Sequence, residues 1–314
     1  MMASIESKLN ALWYGKAPVP WYLRLLAKVY GGLLPLQAKP NKRALSVPVV
    51  VVGNFTVGGT GKTPLIIALV QFLQSQGFKP GVVSRGYGRV SKGARTVHSD
   101  SSAETVGDEP LLIARNTNAP VRVDTDRRAA AQSLIGMGCT VIVSDDGLQH
   151  RGLPRTVEIE VLDAARGYGN GRLLPAGPLR EPVRPVHMQV LNGKSGDTGS
   201  CYGMSLVLGD CYNLKTHARK PLQEFVGQPV QAIAGIGNPE RFFSALSDAG
   251  IRANGMAFAD HHRFQSKDLP DGTVLMTEKD AVKITSGSRN DLWAVPVHAQ
   301  LSAEFFQDFL RRVQ

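Results

Sequence analysis

Eight consecutive residues, Thr56-Val57-Gly58-Gly59-Thr60-Gly61-Lys62-Thr63, carry the densest chemical signal in the sequence. Glycines at this spacing let successive backbone N–H groups turn toward a bound phosphate, and a helix starting just after them adds the positive end of its dipole. In such a loop Lys62 would hold the β- and γ-phosphates of ATP, and the Thr63 hydroxyl would reach Mg2+. The pattern is that of a P-loop except at its first position, where Thr56 stands in place of glycine. A slightly wider loop mouth is the expected consequence. A P-loop also needs an acid at the end of a neighbouring strand to order the metal's water shell. Residues 140–144 (TVIVS) read as that strand and run directly into Asp145-Asp146. One acid would serve Mg2+ and the other substrate or structure; a helix N-cap at Asp146 is the alternative. Gln149 and His150 could line the same cleft, with a plain loop role equally open.

Other residues suit the acceptor side of such chemistry. A hydroxyl that receives a phosphoryl group must lose a proton, and a positioned carboxylate usually takes it. Asp108, in VGDEP at 106–110, stands at a loop-to-helix junction and is the candidate base, with an N-cap as the alternative. Its neighbour Glu109 could instead assist the metal. A histidine of the His261-His262 pair could orient that carboxylate or take up its proton. With the histidine expected in a second domain, such a dyad would be split across two domains and assemble only when the cleft closes on substrate, limiting wasteful hydrolysis. Arg127, Arg128 and Arg180 are candidates for phosphate oxygens, which a guanidinium fork matches in pairs. Arg127 and Arg128 open a helix, a poor place for cations against its dipole. A functional anion nearby would explain them, and so would a surface salt bridge.

The elements that must position these residues are legible. Residues 47–52 form a β-branched run without alternation, as expected of a buried parallel strand. After the loop, Pro64 and the apolar series Leu65, Leu69, Phe72 and Leu73 predict a helix that ends at Gly77. Strands are expected at 80–84, 120–123 and 140–144, and helices at 108–116 and 126–137. Strands alternating with helices predict an α/β fold with a doubly wound, mostly parallel sheet. Residues 164–185 are rich in Gly, Pro and Arg, the composition of a functional or disordered loop. Strand-like runs follow around 186–214, with a linker expected near 195–225. A second α/β pattern then places strands at 230–234, 255–258 and 273–276, and helices at 239–249 and 303–313.

Bulk composition bounds the rest. Of 314 residues, 43% are hydrophobic and 20% charged, which excludes a disordered chain. Net charge is +10, and residues 1–43 supply +6 of it through seven basic side chains against one acid, Glu6. A basic surface attracts nucleic acid, anionic lipid or phosphorylated substrates alike. Cys139, Cys201 and Cys211 are too few and scattered for a disulfide framework or metal site, so reduced thiols are expected. No signal-peptide core is visible, and a cytosolic, reducing compartment is the expectation. Residues 21–36 (WYLRLLAKVYGGLLPL) fall short of the ~20 apolar residues of a membrane span. At helical spacing Trp21, Leu25 and Val29 share one side, and Arg24 and Lys28 another. This suits an interfacial amphipathic helix; an ordinary helix packed on the core, with its charges facing water, remains open.

Taken in order, VGNFTVGGTGKTP, SRGYGR at 84–89, VGDEP at 106–110, DDGLQH at 145–150, LLPAGPLREP at 173–182, ADHHRF at 259–264 and MTEKDAVK at 276–283 closely resemble the tetraacyldisaccharide 4′-kinases. The resemblance covers nearly the whole chain. It implies a P-loop kinase that transfers the γ-phosphate of ATP to the 4′-hydroxyl of a tetraacylated glucosamine disaccharide 1-phosphate, making lipid IV-A for lipid A. It implies a peripheral or monotopic place at the cytoplasmic face of the bacterial inner membrane, and it favours His261 over His262 as the partner of Asp108. On this reading residues 1–43 are a membrane-associating helical segment, 44–210 the P-loop kinase domain and 211–314 a smaller α/β domain. Expected partners are the acylated disaccharide lipid and the membrane surface. No nucleic acid is expected, because no aromatic-basic module is present, and no obligate protein partner is inferred. Two rival classes share parts of the pattern. A ligase of the dethiobiotin-synthetase type has a GxGKT loop but no use for an apolar amino-terminal helix. A partitioning-type switch ATPase carries a second loop lysine, where this chain has Val57.

Overall fold

The computed structural model describes residues 5–36, 44–284 and 289–314. Lys39, Lys42 and Arg43 of the basic amino-terminal set lie outside the described residues. In chain order the helices are α1 (Ile5–Tyr14), α2 (Trp21–Leu33), α3 (Lys62–Ser75), α4 (Ala103–Val106), α5 (Asp108–Thr117), α6 (Arg127–Gly136), α7 (Pro239–Asp248), α8 (Glu278–Ala281) and α9 (Ala303–Val313). The first eight strands are β1 (Val49–Gly53), β2 (Pro80–Ser84), β3 (Arg95–Val97), β4 (Val121–Val123), β5 (Val141–Ser144), β6 (Val157–Asp163), β7 (Met188–Asn192) and β8 (Cys201–Leu208). The remainder are β9 (Cys211–Asn213), β10 (Arg219–Lys220), β11 (Val230–Ala234), β12 (Ala253–Ala257), β13 (Thr273–Thr277), β14 (Leu292–Val295) and β15 (Val297–Gln300). The chain makes two compact units from interleaved segments. The first comprises the described parts of Met1–Lys62 with Val141–Ser205 and Leu301–Gln314; the second comprises Thr63–Thr140 and Leu206–Gln300.

The first unit is built on parallel strands in the order β8-β7-β6-β1-β5. Val49, Val50, Val51 and Val52 are essentially fully buried, and each contributes about 1.5–3 kcal/mol by leaving water. This anchors β1 in the middle, with β5 and β6 on either flank. The order therefore reverses at β1, and the carboxyl ends of strands beside such a reversal are where ligands bind in open α/β sheets. Helix α9 packs on β8, where the Tyr202 ring meets Phe305 edge-on and its hydroxyl donates to Asp308.

The second unit holds β2, β4 and β3, the last antiparallel, and a six-stranded sheet in the order β10-β9-β14-β13-β11-β12. Four strands of that sheet are parallel, and β9 and β10 close one edge antiparallel. Its core gathers Phe225, Phe242, Leu246, Leu275 and Trp293. The stretch 195–225, expected as a linker, carries β8, β9, β10 and a 3-10 turn, Leu222–Phe225. Most of its sparse apolar residues are turned inward: Tyr202, Met204, Cys211, Leu222 and Phe225 are all buried. Short strands with glycine and charge between them carry too little pattern to be told from a linker by composition.

In the first unit, the amino-terminal helices pack on the Gly- and Pro-rich loop at 164–185. The Trp13 indole donates to the Pro175 carbonyl and the Tyr30 hydroxyl to the Arg180 carbonyl. Val19, Ala27 and Ala176 form a small buried cluster with Leu23 and Leu173 against it. The packed face of α2 thus carries Leu23, Ala27 and Tyr30. Its other large apolar residues point outward: Trp21 is 75% exposed, and Leu25, Leu26, Val29 and Leu33 all exceed half. A helix packed on the core with only charges facing water is not what forms. Among the described residues no helix is long and apolar enough to cross a membrane.

Candidate active site

Strand pairing delivers the first cluster. Parallel register sets Val51 of β1 opposite Ser144 of β5, so Asp145 and Asp146 emerge beside the end of β1, where Asn54 and the loop begin. The turn at 145–148 hugs β1 closely. Gly147 donates to the Val52 carbonyl, and a Cβ there would stand 2.6 Å from the Ser144 hydroxyl and 2.8 Å from Val51. No helix starts at this turn, so Asp146 is not an N-cap. It adopts a left-handed backbone with φ 46°, which Asp tolerates better than most residues. Its carboxylate faces two cations, Lys62 Nζ at 3.4 Å and Arg180 Nη1 at 2.7 Å. Asp145 is buried at the end of β5.

The loop itself is held from three sides. Asn54, fully buried, donates to the Thr56 carbonyl, and its Oδ1 accepts from Lys62 Nζ at 3.0 Å. Asn192, at the end of β7, donates to the Thr60 carbonyl. Gly61 has φ 93°, and a Cβ there would lie 2.4 Å from Asn192 Nδ2, so only glycine fits. Thr56 needs no such freedom. It is buried and extended, bridged to Leu179, which explains why a threonine serves where the pattern has glycine. The carbonyls of Phe55 and Pro178 accept from Arg180 and Val57 respectively, which docks the 173–182 loop along the phosphate loop. That docking carries Arg180 to Asp146. Gln149 ties the arrangement together: it donates to the Asn54 carbonyl and Glu181, and accepts from Arg180. Thr63 is buried in the first turn of α3. Two cations thus share one carboxylate next to the amino terminus of α3, where backbone N–H groups and the helix dipole favour an anion.

The second cluster is acidic. Asp108 is the first residue of α5, whose N-cap is Gly107. One Asp108 oxygen accepts the Glu109 N–H, and the other lies 2.8 Å from His261 Nδ1. Asp108 is therefore not the N-cap of α5; its carboxylate stands in the first turn and faces His261. The pair spans 153 residues of sequence yet sits within one compact unit. The expectation that it assembles only on closure is corrected: both residues belong to the same unit, and the pair is already formed. His261 adopts a left-handed backbone with φ 59°, and its ring lies against Tyr87 with centroids 5.1 Å apart. Burial would raise the Asp108 carboxyl, but the hydrogen bond from His261 and the charge of Lys279 outweigh it and hold the acid below its usual range. Burial would lower His261, but Asp108 outweighs it and holds the imidazole above its ordinary value.

His262 is occupied elsewhere, with Nε2 3.1 Å from Asp268 and its ring stacked on Phe258. Glu109 pairs with Lys279 at 3.0 Å. Arg127 is buried rather than part of a surface salt bridge, and α6 is capped by Asp126, which accepts from Arg128 and Ala129. His150 follows Gln149 in the β5 turn, and its carbonyl accepts from Arg155. Sequence reasoning passed over Asn54, Asn192, Glu181, Asp260 and Lys279. Asn54, Glu181, Asp260 and Lys279 lie inside the motif blocks, but only spatial neighbours reveal what they touch; Asn192 lies in none. Among the described residues no three His, Cys, Asp or Glu side chains are grouped to cage a metal. Mg2+ does not require one, since it is usually bound by one or two carboxylates plus substrate phosphates. The Thr63 hydroxyl and Asp145 are oxygen donors of that kind.

The family model described as Tetraacyldisaccharide-1-P 4′-kinase matches residues 17–314. A tetraacyldisaccharide 4′-kinase of Stenotrophomonas maltophilia (strain R551-3) is 47% identical, over 97% of this chain and 96% of the relative. One from Xylella fastidiosa (strain M23) is 43% identical, over 100% of this chain and 98% of its own length. Among solved structures, "apo" form LpxK from Aquifex aeolicus in complex with ATP is similar with a TM-score of 0.77 at 28% identity, covering 94% of this chain and 99% of that one.

Proposed function

Because this chain belongs to the tetraacyldisaccharide-1-P 4′-kinase family, we propose that its phosphate loop binds ATP and that Asp108, oriented by His261, takes the proton from the acceptor hydroxyl. The chain is an ATP-dependent kinase of lipid A biosynthesis, and its acceptor is an acylated disaccharide lipid. The observation that carries the assignment of roles is the division of charge. Cations and helix-terminal amides gather at the loop, whereas an ionised carboxylate with a histidine 2.8 Å away gathers around Asp108.

Phosphoryl transfer is mostly positioning and electrostatic stabilisation. Lys62 and the loop amides bind the β- and γ-phosphates, exchanging the contacts of Lys62 to Asn54 and Asp146 for stronger ones to phosphate. Thr63 and Asp145 would hold Mg2+, which when bound neutralises charge developing on the phosphate oxygens. Asp146 keeps Lys62 and Arg180 oriented until the phosphates arrive. Arg180, with Arg127 and Arg128 as further candidates, binds phosphate of the nucleotide or of the disaccharide, and Gln149 orients Arg180. Asp108, held ionised, accepts the 4′-hydroxyl proton, and His261 either keeps it aimed or relays the proton onward. The test is a transfer assay with ATP and the acylated disaccharide 1-phosphate, read by mass detection. The expected product gains one phosphate, and turnover requires the lipid. ATP hydrolysis that ignores the lipid would favour a switch ATPase instead.

The exposed apolar face of α2 supports a second element of this reading, a peripheral seat on the cytoplasmic face of the inner membrane. Trp21, Tyr22, Leu25, Leu26, Val29 and Leu33 are outward-facing, with Arg24 and Lys28 exposed on the same helix to meet anionic headgroups. Residues 1–43 would then be the membrane-associating segment, and the acyl chains would enter beside them. Flotation with anionic vesicles tests it. Leu25→Glu with Val29→Glu should release the protein, while high salt alone should release little, because salt weakens only the charge contribution. Unchanged flotation of the double variant would defeat the membrane role of α2.

A further inference from the structure

Lys279 has no part in the mechanism above, yet it stands at the centre of the acidic cluster in the second unit. Its Nζ lies 3.0 Å from Glu109 Oε1, 3.3 Å from Asp260 Oδ1 and 4.0 Å from Asp108 Oδ2. Two of these acids open α5, and the third immediately precedes His261. We propose that Lys279 is a positioning residue for phosphoryl transfer: its ammonium clamps the start of α5 to the His261 loop and so keeps the Asp108 carboxylate facing His261. This deepens the proposed function and rests on its assignment of Asp108 as the proton acceptor.

The surroundings deliver Lys279 rigidly. Strand β13 ends at Thr277, whose hydroxyl caps α8 by accepting the Asp280 N–H. Asp280, fully buried, accepts from the Thr277 hydroxyl and from the Gly235 N–H. Glu278, just before Lys279, accepts from Asn116 near the far end of α5. Successive residues of α8 thus grip both ends of α5. The other cation nearby, Lys283, is bound to Asp280 at 2.6 Å and does not duplicate the clamp. Burial would discharge Lys279, but Glu109, Asp108 and Asp260 outweigh it and keep the ammonium charged. Without that charge, Asp108, Glu109 and Asp260 would face one another as like charges, with His261 and the weaker influence of Lys283 left to offset them. A largely buried ion cluster is weak evidence for stability, and its place around the candidate base points to orientation as its use.

The test compares Lys279→Met and Lys279→Gln with Lys279→Arg, each made alone and with Asp108→Asn. The uncharged variants should lose about tenfold or more in kcat, but less than the roughly 10²–10⁴ of losing the base itself. The KM for ATP should not change, and Lys279→Arg should recover most of the loss. On the Asp108→Asn background, removing Lys279 should cost nothing further, because it acts through Asp108. A normal kcat in Lys279→Met, or an equal additional loss on the Asp108→Asn background, overturns the proposal. If neither uncharged variant folds while Lys279→Arg is fully active, the charge serves stability and the proposal is again overturned. A near-normal Asp108→Asn enzyme would instead defeat the underlying assignment of the base. An inactive Asp108→Asn beside a fully active Lys279→Met would defeat only the role of Lys279.

Discussion

The phosphate-loop cluster and the Asp108 cluster solve opposite electrostatic problems by opposite routes. The first aims two cations, Lys62 and Arg180, at one carboxylate, Asp146, beside the loop amides. Its core is local, since Asn54 through Lys62 come from one strand–loop–helix step, and the neighbouring strand adds Asp146. The second concentrates negative charge around Lys279 and His261, and its parts come from α5, the 259–263 loop and α8. Both use a non-glycine residue in left-handed backbone, Asp146 and His261. Such strain is kept only where surrounding contacts enforce it, and it concentrates at functional sites. A site for a fixed anion can be written in one segment, because backbone amides do most of the binding. A carboxylate that must be ionised, buried and aimed needs counter-charges from several elements.

Removing the loop's cation should break the contrast most severely. Lys62→Ala is expected to cost roughly 3 kcal/mol or more in transition-state stabilisation, about a hundredfold or greater in kcat at saturating ATP. Near-normal turnover in a steady-state transfer assay would show that the loop is not the phosphate site. Next come Asp108→Ala and His261→Ala, each expected to lower kcat by roughly 10²–10⁴ with little change in ATP affinity. The double variant should be barely worse than either single, since the pair works as one unit. Multiplicative losses would show that proximity at 2.8 Å does not make a functional dyad.

Arg180→Lys should have a smaller effect that falls on binding. Lysine keeps the charge but loses the fork that contacts Asp146 and can grip phosphate in pairs. A several-fold rise in KM for lipid or nucleotide is expected, on the order of 1 kcal/mol; unchanged KM and kcat would remove Arg180 from the site. Smallest of all, Thr56→Gly should leave kcat nearly intact, because the bridge to Leu179 is made by the backbone. It should cost about 0.5–1 kcal/mol of stability through added freedom in the unfolded chain, visible as a modest fall in Tm. A large loss of activity would mean that the Thr56 side chain, and not only its extended backbone, shapes the loop.

Much of the first cluster could be read from residue order. The β-branched run before the loop, the glycine spacing within it and Asp145-Asp146 after a buried strand each have a local physical cause, and β2 and β11 formed where pattern predicted them. Arg180 was legible as a phosphate candidate, but not that its loop lies along residues 55–57 to bring it there. The linker reading of 195–225 failed because three strands of two to eight residues leave almost no periodicity. The outward apolar face of α2 was legible only as one of two options, since periodicity shows that a face exists and not which face the rest of the chain covers.

By itself, then, the order of residues determined the alternation of strands and helices, the glycine-rich loop with its lysine and threonine, and the place of Asp108 at a loop-to-helix junction. Those features depend on backbone propensity, on burial of short apolar runs and on contacts between near neighbours, all of which are written locally. Only the tertiary structure decided that His261 faces Asp108 while His262 turns to Asp268, that Asp146 holds two cations, and that Lys279 gathers three acids. These are electrostatic choices between side chains up to 171 residues apart. Their energies depend on distance and burial, which no spacing along the chain encodes.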